Sequence, residues 1–178
     1  MARKLRTHEL GRADVLQYEK MDKLPLVVVL DNVRSCNNIG SFFRTSDAML
    51  INSIHLCGYT ATPPNKDIHK TALGAEDTVS WKHFDTTEES VQQLKKEGYA
   101  IFAVEQVEHS TKLPDFKANA YNKIALVFGN EVKGVQQSII DSCDGAIEIP
   151  QFGTKHSFNV SVSAGIVLWD IFKQMHLE

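Results

Sequence analysis

The 178-residue chain has three cysteines, Cys36, Cys57 and Cys143, and no C-x-x-C pair. That spacing encodes neither a disulfide framework nor a thiolate zinc site, and reduced thiols are expected. Seven histidines are scattered without an H-x-x-x-H or similar ligand spacing, so no metal site is expected. No apolar run approaches the roughly 20 residues that span a bilayer, and the basic start Met1-Ala2-Arg3-Lys4-Leu5-Arg6 lacks the apolar stretch of a secretory leader. Together these absences point to the cytoplasm and away from a membrane. Neither G-x-G-x-x-G nor G-x-x-x-x-G-K-[ST] occurs, which disfavours Rossmann dinucleotide binding and P-loop phosphate binding. Positive charge is not in excess either: 19 Lys+Arg against 22 Asp+Glu leave a formal net charge of −3. A nucleic-acid partner would have to be held by a local basic patch.

What is present describes an ordinary globular protein, with 43% hydrophobic and 23% charged residues in 19.9 kDa. At roughly 150 residues per domain this is one domain, large enough to bury about 70% of its extended surface. Residues 7 to 22 mix charges with spaced apolar positions and read as an N-terminal helix or arm, so 1–24 stand apart from a main domain at 25–178. Leu26-Val27-Val28-Val29-Leu30 is a continuous β-branched run, the pattern of a strand buried on both faces. From Asn38, the residues Ile39, Phe42, Phe43, Ser46, Met49 and Leu50 keep one stripe at helical spacing. Further strands are expected at Ser53 to Gly58, Tyr99 to Gln106, Lys123 to Asn130 and Ala146 to Gln151. Helices are expected from about Thr87 to Glu97 and from Asn159 to His176. Such alternation predicts an α/β fold with a mostly parallel sheet flanked by helices.

In open α/β sheets ligands bind beyond the carboxyl ends of strands, so the residues just after each apolar run are the informative ones. Three places stand out. Asn37-Asn38-Ile39-Gly40-Ser41-Phe42-Phe43-Arg44 opens a helix after the first strand; taken alone, it reads equally as an Asn cap with a surface arginine. Phe128-Gly129-Asn130-Glu131-Val132-Lys133-Gly134-Val135 turns from a strand into a helix. There Gly129 and Gly134 would let backbone approach a bound molecule, and Glu131 sits where a helix start favours its charge. Ile147-Glu148-Ile149-Pro150-Gln151-Phe152-Gly153 leads to Ser157-Phe158-Asn159-Val160, where Ser157 or Asn159 can cap the last helix.

The ordered set N-x-x-G-x-x-x-R-T (Asn37 to Thr45), F-G-N-E-x-x-G-V and I-P-Q-x-G-x-x-x-S-F-N-V-S-V-S resembles the three motifs of the SpoU (TrmH-like) RNA 2′-O-ribose methyltransferases of the SPOUT class. The resemblance covers about residues 25 to 176. Where the family pattern usually has leucine, Phe158 stands here, an apolar exchange that bears on the fit around an adenine.

The resemblance implies a C-terminal deep trefoil knot, one of the rare exceptions to unknotted connectivity. It further implies an S-adenosylmethionine site in the knot loops, with Val104, Gly129, Ile149 and Phe158 around the cofactor. Because this cofactor carries no phosphate, apolar side chains and backbone amides suffice to hold it, in keeping with the absent P-loop. Arg44 is implied as the central catalytic residue, assisted by Asn38, Glu131, Ser157 and Asn159. A guanidinium with a pKa above about 12 is a poor base, so Arg44 is expected to hold the adjacent phosphate and stabilise a developing alkoxide. RNA contacts are expected from Arg3, Lys4, Arg6 and Arg12 on the arm, with Arg34, Lys66 and Lys70 beside the site. Family members are homodimers whose catalytic groups meet near the subunit interface. The expected activity is 2′-O-methylation of a guanosine of tRNA, on the motif text and the compact chain. Ribosomal RNA is the alternative substrate, and a non-catalytic RNA-binding or cofactor-sensing module the alternative class.

Overall fold

A computed structural model describes residues 2–177; Met1 and Glu178, which end the two expected segments, lie outside it. The N-terminal segment, expected as a helix or arm, holds two short turns of helix with a break between them. A 3₁₀ turn at Thr7–Glu9 is followed by Gly11 at φ 60°, and the chain restarts as α1 (Val15–Lys20). Asp14 explains the restart. Its Oδ1 accepts from Gln17 N–H at 2.8 Å while Gln17 Oε1 accepts from Asp14 N–H at 3.1 Å, a reciprocal cap that sets a new helix start. Tyr18 anchors α1 to the core at 6% exposure.

From there the chain alternates β1 (Leu24–Asp31), α2 (Cys36–Ala48), β2 (Ile51–Cys57), α3 (Lys66–Ala72), α4 (Ala75–Thr78), β3 (Trp81–Phe84) and α5 (Thr87–Lys96). Its second half holds β4 (Ala100–Val104), β5 (Thr111–Lys112), β6 (Ile124–Phe128), α6 (Gln137–Ser142), β7 (Gly145–Glu148) and α7 (Val160–Phe172), closing on a π-helical turn at Lys173–Leu177. No described helix is long and apolar enough to cross a membrane.

The described strands form one sheet in the order β3-β2-β1-β6-β4-β7-β5, every neighbouring pair parallel. β1, β2 and β3 step outward to one edge, and β6 enters between β1 and β4. The apolar run of β1 is explained by burial on both faces. Leu26, Val28 and Leu30 point into a core with Ile39, Phe42 and Phe43 of α2 and Val167, Leu168 and Ile171 of α7. Val27 and Val29 point the other way, into a core with Val91 and Leu94 of α5 and Ile139 of α6. Burying both faces of β1 excludes water from its ladder, and all polar specificity is displaced to the strand ends.

The segment between β2 and β3, polar at its start and containing Pro63 and Pro64, holds two short helices. Asn65 caps α3, accepting from Asp67 N–H at 2.9 Å and Ile68 N–H at 3.4 Å, and Leu73 in the left-handed region at φ 55° ends it.

Candidate active site

The carboxyl ends of three adjacent strands, β6, β4 and β7, together with the loop before α7, enclose a cleft of about 500 Å³. That is the place where a parallel sheet offers a ligand loops instead of ladder, and the volume lies within the roughly 300–1,000 Å³ of small-molecule sites. Val104, Gly129, Ile149 and Phe158 all line it. So do Glu131, Ser157 and Asn159, in a wall that mixes apolar side chains with further polar ones such as Glu105, Gln106 and Gln137.

Two glycines of the cleft loop act differently from the expectation. A Cβ on Gly129 would fall 2.1 Å from the main chain of Gly134 and Val135, and one on Gly134, at φ 68°, would fall 2.2 Å from Glu105 Oε2. Their bareness admits neighbouring chain rather than a bound molecule. Asn130 and Gly134 exchange both backbone hydrogen bonds, at 3.0 and 2.8 Å, closing a tight loop that carries Glu131. α6 begins only at Gln137, so Glu131 does not sit at its start.

The carboxylate of Glu131 instead faces the start of α2. It accepts from Arg34 N–H and Ser35 N–H, each at 3.0 Å, and from Asn38 Nδ2 at 2.9 Å. Unpaired amides at a helix N-terminus favour an anion, so the expected electrostatics are found on a different helix. Ser35, not an asparagine, caps α2: its Oγ accepts from Asn38 N–H at 3.3 Å. This frees the Asn38 side chain, whose Oδ1 accepts from Asn159 Nδ2 at 3.1 Å and Ser161 Oγ at 3.3 Å. Asn159 also caps α7, accepting from Ser161 N–H at 2.9 Å and Val162 N–H at 3.3 Å. One polar cluster therefore joins all three sequence motifs through Asn38, Glu131 and Asn159, with Ser161 as a member the sequence reading missed.

Arg44 and Ser157 stand outside this cluster. Arg44 is exposed on α2, six residues beyond Asn38 and so about 9 Å farther along the axis, and its guanidinium meets no acidic partner among the described residues. Ser157 is exposed at the cleft wall. On the arm, Arg3 is paired with Glu9 at 2.6 Å; Lys4, Arg6 and Arg12 are exposed, and none of the four lines the cleft. Lys70 is paired with Asp67 at 2.6 Å, whereas Arg34 is exposed beside Glu131.

A further residue escaped the sequence reading. Asp31, fully buried at the end of β1, accepts from Thr87 Oγ1 at 2.6 Å, Gln136 N–H at 2.8 Å and Gln136 Nε2 at 2.7 Å. It ties the exit of the Glu131 loop to β1 and α5. Its only sequence signal was an acid directly after a doubly buried strand, which also reads as a simple strand end. His156, Gln151 and the exposed Phe152 lie on the loop between β7 and α7, where Gln106 Nε2 holds the His156 carbonyl at 2.9 Å.

Parallel α/β architecture with a cleft of mixed lining at its strand ends, beside an anchored carboxylate, has the form of a small-molecule site next to a polar cluster. The model of the SpoU rRNA Methylase family matches residues 25–169, and the chain belongs to that family. It is 32% identical over 165 residues to the 23S rRNA (guanosine-2′-O-)-methyltransferase RlmB of Neisseria meningitidis serogroup B, an alignment covering 93% of this chain and 64% of that protein. This chain thus spans less than two thirds of that relative's length. The crystal structure of the A. aeolicus TrmH/SpoU tRNA modifying enzyme superposes with a TM-score of 0.79 at 26% identity, covering 90% of this chain and 80% of that one. The AdoMet-bound rRNA methyltransferase from Sinorhizobium meliloti shares the fold at a TM-score of 0.80 and 23% identity, over 90% of this chain and 61% of that one.

Proposed function

We propose that this chain is an S-adenosylmethionine-dependent RNA 2′-O-ribose methyltransferase acting on a guanosine of tRNA. The observation that carries the reading is the Asn38–Glu131–Asn159 cluster, which unites three separated motifs at the mouth of the cleft. The cleft fits the methyl donor in chemistry: Val104, Ile149 and Phe158 offer apolar surface for a purine, and no phosphate-cradling loop is needed. When bound, the donor supplies an electrophilic methyl group on a sulfonium.

The residues of the chain do the rest. Glu131, held by three hydrogen bonds, fixes Asn38 and the start of α2; Asn159 orients the opposite wall while capping α7. The exposed Ser157 hydroxyl accepts a hydrogen bond from the ribose hydroxyl, whose proton passes to solvent water as the oxygen takes the methyl group. Arg44 holds the neighbouring phosphate and stabilises the alkoxide as it forms. Because Arg44 is exposed and separated from the cluster within one chain, it acts across a homodimer. Val162, Ile166 and Trp169, exposed at 50%, 37% and 52% along one side of α7, support that pairing.

The entry of β6 between β1 and β4 supports the knotted path that the family resemblance implies, and the match beginning at residue 25 supports an arm preceding the methyltransferase domain. The likeness to the A. aeolicus tRNA modifying enzyme favours tRNA. A ribosomal RNA substrate is the second reading, favoured by the Neisseria relative. A cytoplasmic site of action suits either RNA.

Labelled methyl donor incubated with tRNA and ribosomal RNA pools tests this. Incorporation into tRNA is expected, falling at least about 100-fold in Arg44→Ala and failing to recover in Arg44→Lys. Donor binding by calorimetry without incorporation into either pool would instead establish a binding module.

A further inference from the structure

Beside the Glu131 loop lies a second depression of about 480 Å³, lined by Arg34, Tyr59, Asn130, Val132 and Lys133. It shares Asn130, Val132 and Lys133 with the larger cleft, so the two adjoin at the Glu131 loop. Tyr59 is 61% exposed, and its ring meets no other aromatic ring or cation among the described residues. A tyrosine kept for packing would bury that ring; this one presents it.

The ring is nevertheless held at both ends. Asn130 Nδ2 donates to Tyr59 Oη at 2.9 Å, and Tyr59 N–H donates to Asn32 Oδ1 at 3.3 Å. Gly58 makes the second contact possible, because a Cβ there would fall 2.1 Å from Asn32 Oδ1. The same Asn130 accepts from Val132 N–H at 2.9 Å and Lys133 N–H at 3.0 Å, so one side chain orders the ring, the base of Lys133 and the loop bearing Glu131. The Arg34 and Lys133 side chains are exposed with no ion pair among the described residues. Glu131, the nearest acid, directs its oxygens to backbone amides and Asn38 instead of to either cation.

An ordered, unstacked ring between two free cations matches a nucleotide: a flat base for the ring and phosphates for the charges. We propose that this depression is a second nucleotide subsite, in which Tyr59 stacks on the base adjoining the modified nucleotide while Arg34 and Lys133 hold the flanking phosphates. The inference rests on the RNA reading above. It deepens that reading by naming where the strand lies outside the reaction centre and how it is gripped.

Fluorescence anisotropy with a labelled, mixed-sequence single-stranded RNA oligonucleotide, and separately with whole tRNA, tests the subsite. Tyr59→Ala weakens RNA binding about tenfold, Tyr59→Trp restores it, and Tyr59→Leu does not, because the base requires a π face. Arg34→Gln and Lys133→Gln each flatten the slope of log affinity against log salt by about 0.7. Methyl-donor affinity by calorimetry stays at the wild-type value in the three Tyr59 variants and in Arg34→Gln, whose side chains lie outside the larger cleft, and far-ultraviolet circular dichroism reports that Lys133→Gln is folded. Wild-type RNA affinity in Tyr59→Ala, or no RNA binding by the unaltered chain, overturns the subsite. Intact RNA binding that depends on Tyr59, without methyl incorporation into any RNA, overturns the methyltransferase reading and leaves the subsite standing.

Discussion

Glu131 has no cationic partner, yet it is held in its charged form. Partial burial pushes its carboxyl up, but hydrogen bonds from Arg34 N–H, the Asn38 amide and Ser35 N–H outweigh that and hold it below the ordinary carboxylate range. The carboxylate is thereby available at neutral pH as a fixed acceptor rather than as an acid. His55 on β2 shows the opposite balance. At 3% exposure, with Nδ1 2.7 Å from Ser90 Oγ, it is pushed down to about 4, chiefly by burial and further by Lys82, against a smaller opposing pull from Glu97. Between about 4 and the ordinary histidine value of about 6.5, the unfolded chain binds a proton that the folded chain refuses. Stability attributable to His55 is therefore complete above about 6.5 and declines as pH falls toward 4, by a total of about 3 kcal/mol. Urea midpoints measured from pH 7 to pH 4.5 should fall accordingly, and His55→Gln should flatten that part of the profile.

At the scale of elements, the first motif does more than present side chains. A Cβ on Gly40 would fall 2.2 Å from both the Ile68 carbonyl oxygen and Thr71 Oγ1, and 2.9 Å from Ala72 N, so Gly40 is where α2 and α3 cross in near contact. Thr71 Oγ1 reinforces the crossing by donating to the Asn37 carbonyl at 2.8 Å. Gly40→Ala should lower stability by about 1–3 kcal/mol despite alanine's better helix propensity, since the obstruction is backbone that cannot yield. Calorimetric melting should show a drop of several degrees. In the sequence this glycine is only part of a helix opening, because α3 leaves little trace there: seven residues closed by a left-handed leucine give too little periodicity to separate from loop. Longer elements were legible for the converse reason. α2 and α7 carry apolar residues along thirteen positions, α5 runs from acidic first turn to basic last turn before Gly98, and the strands β1, β4 and β6 are short apolar runs.

At the scale of the whole molecule, the three motifs were legible as positions but not as partners. Nothing local in Asn38, Glu131 or Asn159 says that one donates to the next, because those contacts depend on strand order, and periodicity carries no strand order. The same limit hid Asp31 and Tyr59, whose neighbours come from segments far away in the chain. If the proposed homodimer pairs through α7, Trp169→Glu should convert dimer to monomer in analytical ultracentrifugation and abolish methyl transfer, while far-ultraviolet circular dichroism stays near wild type, because an exposed position tolerates the charge.

The neighbours of β1 carry one more consequence. β2 follows it within a few dozen residues, but its other flank waits for β6, synthesised almost a hundred residues later, and Asn38 waits for Asn159 beyond that. On the ribosome, β1, β2 and β3 emerge with an open, hydrogen-bond-hungry edge at β1, and it stays open until β6 has been translated. The Asn38–Asn159 contact thus forms only after the described sheet is complete, and a nascent chain halted before α7 would hold every described strand with that half of the polar cluster still open.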